Sequence, residues 1–188
     1  QYAAKDFRGA AATRRAAAAA ADGEAANELT SLATSYEAVG INLALGNENT
    51  TTSNPTVAIA AFSRALALDK KIGDSVHSPG LREKLGAIAP KAAASFMAKG
   101  NYEGAKRAAD TAVNFGSGAN ATVAQVRKSL ERKASEFFAT ATQIKKSKPA
   151  EAKALWRRIR KIVPDDNPWS IKAYKALNAR PAPRDQDE

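Results

Sequence analysis

Apolar residues in this chain recur at intervals of three and four rather than two, and valine and isoleucine are sparse among many alanines, a pattern of amphipathic helices and not of sheet. The clearest stripes are Ala58, Phe62 and Ala65, and Ala152, Trp156 and Ile159, each at i, i+4 and i+7. The periodicity predicts an all-α fold with seven helices near 3–21, 24–45, 55–72, 79–99, 102–115, 121–146 and 149–163, and a short eighth at 168–179. Asn54-Pro55, Ser78-Pro79, Asn167-Pro168 and, more weakly, Lys148-Pro149 read as helix starts. Gly100 and Gly116 sit where helices end in a left-handed residue. Pro90 predicts a kink or break in the fourth helix. Residues 46–54 read as a polar loop, and 180–188 as a charged, disordered tail after a single domain spanning 1–179.

The helical pattern also repeats. Ala10, Ala58, Ala105 and Ala152 head similar segments spaced by 48, 47 and 47 residues. The second copy carries Ala58, Phe62 and Ala65; the fourth carries Ala152, Trp156, Ile159 and then Pro164; the third has Ala105, Ala109 and Ala112, and the first Ala10, Arg14 and Ala17. Small residues with an aromatic between them let a neighbouring helix approach closely while the ring fills the space beside it.

In these residues the sequence resembles the tetratricopeptide (TPR) repeat family, whose second helix carries such a small, aromatic, small pattern. The period exceeds that family's usual length of about 34, Lys70 stands where the family has proline, and alanine replaces the aromatic at Ala109. The resemblance implies a right-handed superhelical solenoid of antiparallel helix pairs. The segments 102–116 and 155–178 also resemble the helical C-terminal regions of some bacterial forkhead-associated (FHA) domain proteins. A terminal-carboxylate clamp of the kind some tetratricopeptide proteins carry is not expected, because Ala94, Phe137 and Ala141 stand at the corresponding places.

Composition narrows the chemistry. Cysteine is absent and His77 is the single histidine, which removes disulfides, thiol chemistry and metal sites built on two imidazoles. No apolar run reaches membrane-spanning length. The expected compartment is the cytoplasm, although a start at Gln1, on what reads as the second helix of a repeat, suggests a processed or truncated chain. The formal net charge of +10 is uneven: residues 120–180 hold 15 Lys/Arg against 5 Asp/Glu, whereas residues 1–119 hold 13 against 11.

Candidate chemistry is sparse. "GNYEGAK" at 100–106 has two glycines and a lysine, but no strand precedes them and Arg107 stands where a P-loop needs a hydroxyl residue, so the segment reads as a turn between helices. His77 reads as a loop histidine with Asp74 nearby, and Glu131 and Glu136 read as ion-pair partners. Trp169, Ile171, Tyr174 and Leu177 suit a helix that caps the last repeat. No catalytic, cofactor-binding or metal-binding residues emerge, and the chain reads as no enzyme. The partner-binding candidates are cations: Arg127, Lys128, Arg132 and Lys133, then Lys153, Arg157, Arg158, Arg160 and Lys161. A field of this sign attracts acidic peptides or nucleic acid. The expected function is a scaffold that binds another protein, with an acidic partner steered by the basic third; a nucleic-acid-binding helical repeat is the alternative.

Overall fold

A computed structural model describes residues 1–73 and 75–179, which include eight helices and no strand. They are α1 (Phe7–Ala19), α2 (Gly23–Thr51), α3 (Pro55–Ile72), α4 (Ser78–Ala98), α5 (Tyr102–Asn114), α6 (Ala121–Ile144), α7 (Pro149–Ile162) and α8 (Pro168–Asn178). Asp74 and the expected tail at 180–188 lie outside the described residues.

Local chemistry explains most boundaries. Asn101, Asn120 and Asn167 cap α5, α6 and α8, their side-chain oxygens accepting from the backbone N–H groups of Gly104, Thr122 and Trp169. Gly100 and Gly116 have φ of 69° and 87°, the left-handed turns that end α4 and follow α5. Three expectations change. The polar stretch after Leu45 continues α2 through Thr51, and its side chains bond back to carbonyls one turn earlier. Asn49 Nδ2 donates to the Leu45 carbonyl, and Thr50 and Thr51 donate to the carbonyls of Gly46 and Asn47. Of the kink or break expected at Pro90, the break does not occur: α4 runs from Ser78 to Ala98 with Pro90 buried inside it. Helix α1 starts at Phe7 rather than near residue 3: Lys5 turns with a φ of 64°, and Asp6 caps the helix through the Gly9 N–H.

Each helix packs on the next in chain order, and α4 also touches α6, α5 touches α7, and α6 touches α8. From α4 onward, even- and odd-numbered helices therefore form two layers. The repeat alanines Ala58, Ala105 and Ala152 are fully buried and Ala10 nearly so, but Arg14 and Ala17 of the first copy face outward. Alanine supplies about half of the buried apolar residues among those described, so backbones come close. A Cβ added at Gly86 of α4 would stand 2.5 Å from the backbone oxygen of Phe115 after α5.

The N-terminal helices hold a second apolar cluster of Tyr2, Ala10, Ala11, Ala33, Tyr36 and Val39. Tyr2 stacks on Tyr36 with ring centroids 4.5 Å apart and meets Phe7 and His77 edge-on. Its hydroxyl donates to the fully buried carboxylate of Asp69 at 2.7 Å. The same carboxylate accepts from Ser78 Oγ at 2.7 Å and the His77 backbone N–H at 3.3 Å. His77 lies in the turn before α4, as a loop histidine, and is buried there with Nε2 2.8 Å from the Tyr2 carbonyl. Ser78, expected to precede α4 as its cap, lies in the first turn and serves Asp69.

Burial alone would raise the Asp69 pKa, but the hydrogen bonds from Ser78, Tyr2 and the His77 backbone together hold it below the ordinary carboxylate range. A depressed folded-state pKa gives stability that is complete above the unfolded value of about 3.9 and is lost as pH falls through the folded value. Wild-type stability should therefore decline on acidification below about pH 4. Asp69→Asn should lose about 1.5–3 kcal/mol at neutral pH and flatten the acid limb, measured by urea unfolding across pH. Gly86→Ala should destabilise by about 1–3 kcal/mol through the Phe115 contact. Gly80→Ala, where an added Cβ meets nothing within 4 Å, should instead stabilise by up to about 1 kcal/mol. Thermal melts of the two glycine variants check the opposite signs.

Candidate functional site

The nine candidate cations do not form one patch. On α6 they are distributed around the helix: Arg127 turns toward α5, Arg132 lies on the α4 side, and Lys133 reaches over the Tyr102 ring. Arg127 bridges to Asp110 of α5 at 3.4 Å, and that carboxylate also takes Lys106 at 2.7 Å. Lys133 pairs with Glu136 at 2.5 Å and Arg132 approaches the same carboxylate at 4.0 Å. The hydrogen bond that Lys133 donates to the Glu136 carboxylate is what raises the Lys133 pKa. Glu131 forms no ion pair among the described residues; its carboxylate accepts from Asn167 Nδ2 at 3.3 Å.

On α7 the apolar stripe of Ala152, Trp156, Ile159 and Ile162 turns inward, leaving Lys153, Arg157, Arg160 and Lys161 along the opposite side. Arg158 departs from that group. Its guanidinium sits 4.9 Å from the Phe137 ring and 5.6 Å from that of Tyr102, two rings that meet edge-on at 6.0 Å. Arg158 therefore closes an aromatic junction between α5, α6 and α7. Arg160 reaches Asp165 at 3.7 Å, and Lys161 reaches Glu103 of α5 at 3.8 Å. Lys128, Lys153 and Arg157 have no ion-pair partner among the described residues.

Two basic residues outside the sequence-based set join this region. Lys106 and Arg107 of α5 stand beside Arg160 and Lys161 across a cleft of 380 Å³ that also contains Glu103, Asp165, Val163 and Pro164. The signal was present in "GAKRAAD", but only the α5–α7 contact places it beside α7. A smaller recess of 130 Å³ adjoins the cleft and holds Arg127, Asp110 and Glu131.

A different set of depressions follows the even-numbered helices. One of 410 Å³ lies among Asn47, Thr50, Phe62, Lys84, Ile88 and Lys91 of α2, α3 and α4. Another of 640 Å³ lies between α4 and α6 among Ala94, Met97, Thr122, Gln125, Ser129 and Arg132. Their walls are mixed: apolar floors, amide and hydroxyl groups, and scattered lysine or arginine. Beyond them α8 lies on α6 and α7, with Trp169 5.8 Å from Phe138 and Leu177 against the core, whereas Ile171 and Tyr174 are exposed. Among the described residues no group of His, Asp or Glu could hold a metal ion, and no helix is long and apolar enough to cross a membrane.

Arg158→Ala should cost about 1 kcal/mol by removing the cation above Phe137 and Tyr102, whereas Arg157→Ala should change stability by less than about 0.5 kcal/mol. Guanidinium unfolding of the two variants separates the structural arginine from the solvated one. Comparison of the chain with protein families, curated proteins and solved structures finds no match.

Proposed function

We propose that this chain is a TPR-like solenoid of antiparallel helix pairs, winding with a right-handed superhelical sense, that acts as a non-enzymatic scaffold for another protein. The observation that carries the reading is the series of depressions along one layer, first among α2, α3 and α4 and then between α4 and α6. Such a series suits an extended segment of a partner, whose side chains enter successive recesses while the hydroxyl, amide and basic groups on their walls fix its register. The excess of positive charge in residues 120–180 would speed the approach of an acidic partner, since long-range charge acts on encounter more than on final affinity.

Photo-crosslinking tests this directly. A benzophenone amino acid at Lys91 or Gln125, one in each depression, should capture the same partner from the native cell extract, and the same group at Arg14 on the outer side of α1 should not. Equal capture from all three positions, or from Arg14 alone, would sink the groove. A gel-shift series with duplex DNA and single-stranded RNA should show no salt-sensitive binding; a steep salt dependence would favour the nucleic-acid alternative.

A further inference from the structure

The cleft between α5 and the end of α7 brings together two basic dipeptides far apart in sequence, Lys106-Arg107 and Arg160-Lys161. Its volume of 380 Å³ falls within the range of ligand pockets, about 300–1,000 Å³. Lys106 is held by Asp110 at 2.7 Å and Arg160 lies over the Tyr174 ring at 5.1 Å, but the internal acids restrain Arg160 and Lys161 only loosely. Arg160 and Asp165 stand 3.7 Å apart with the Asp165 side chain 87% exposed, and Lys161 and Glu103 stand 3.8 Å apart. Arg107 has no ion-pair partner among the described residues. Exposed pairs of this kind hold little energy, so an incoming carboxylate can replace them at small cost. Arg107 and Arg160 each offer a planar fork that can take a carboxylate with two parallel hydrogen bonds.

The cationic surface continues beyond the cleft. Lys153 and Arg157 share the side of α7 that carries Arg160, and at 1.5 Å per residue the stretch from Lys153 to Lys161 spans roughly 12 Å, about four residues of extended chain. A lone anion would leave most of that length unused. Glu103 and Asp165 in the cleft oppose any anion, but they oppose the dense, continuous charge of a nucleic-acid backbone more than the spaced carboxylates of a peptide.

We propose that this surface seats an acidic, extended peptide segment, with one carboxylate held between Arg107 and Arg160 and further acids along Lys153 and Arg157. It deepens the scaffold reading and rests on it, but it places the acidic contact on the odd-numbered helices, apart from the depressions along the even-numbered ones.

The test is fluorescence anisotropy of a fluorescein-labelled peptide rich in glutamate and glycine, titrated with the full chain at low and at physiological salt. The double variant Arg107→Glu/Arg160→Glu should weaken binding at least about tenfold. Lys145→Glu/Lys146→Glu, which makes the same change in net charge at the end of α6, should weaken it less than about threefold. The milder Arg107→Gln/Arg160→Gln should fall between them, and circular dichroism melts report whether each variant is folded. Equal losses in the two charge-reversed variants would overturn the proposal, as would absence of peptide binding at low salt or displacement of the peptide by a duplex oligonucleotide at lower concentration than unlabelled peptide. Crosslinking from Lys91 and Gln125 does not pass through this cleft. If it persists while the peptide test fails, the cleft proposal falls and the scaffold reading stands; if it fails while the peptide binds as described, the groove falls instead.

Discussion

Two helices approach no closer than the side chains between them permit, and here those side chains are mostly alanine. Ala58, Ala61 and Ala65 on α3, Ala89, Ala92 and Ala93 on α4, and Ala105, Ala108, Ala109 and Ala112 on α5 are all buried. Close contact brings many backbone atoms within dispersion range, but each alanine removes little apolar surface from water. The larger side chains in the gaps, among them Phe62, Leu81, Leu85 and Trp156, therefore contribute a disproportionate share of the apolar burial. The spacing also requires glycine where even a methyl group is too large, as at Gly86 against the Phe115 carbonyl and Gly46 against the Phe62 ring.

The same layering governs the charges. Because α7 commits one side to the core, its cations must face away from it, and because α5 lies beside α7, Lys106 and Arg107 join them. Helix α6 touches α4, α5, α7 and α8, so its basic residues are divided among different neighbours instead of pooled. Arg158 is diverted to two aromatic rings, and Arg127 to Asp110. A net charge read along the chain thus becomes one coherent surface along α7 and α5 and several isolated cations elsewhere.

Much of this arrangement was legible in the sequence because it depends on local rules. The third helix starts at Asn54-Pro55 and carries the apolar stripe, the eighth starts at Asn167-Pro168, and Gly100 and Gly116 take the left-handed conformation after helices. The repeat alanines are buried in every copy, although Arg14 and Ala17 show that the first copy lacks the full inward stripe. What escaped depends on distant partners. Threonine and asparagine in residues 46–51 have loop character taken alone, but bond to carbonyls one turn back once the helix is present. Nothing near His77 in the sequence announces that Tyr2 and Asp69 will enclose it. The α5–α7 cleft likewise joins dipeptides that only packing brings together.

The Tyr2 contacts also bear on the order in which the chain folds. Nearly every helix contact joins neighbours in sequence, which makes loop closure cheap and assembly fast. The hydrogen bonds that join Tyr2 to Asp69 and to His77 span 67 and 75 residues. Closing so long a loop becomes favourable only after α1, α2 and α3 have shortened the path between its ends. The contacts of Tyr2 therefore draw on helices already in place, and in the folded chain they tie the segment before α1 to the junction of α3 and α4.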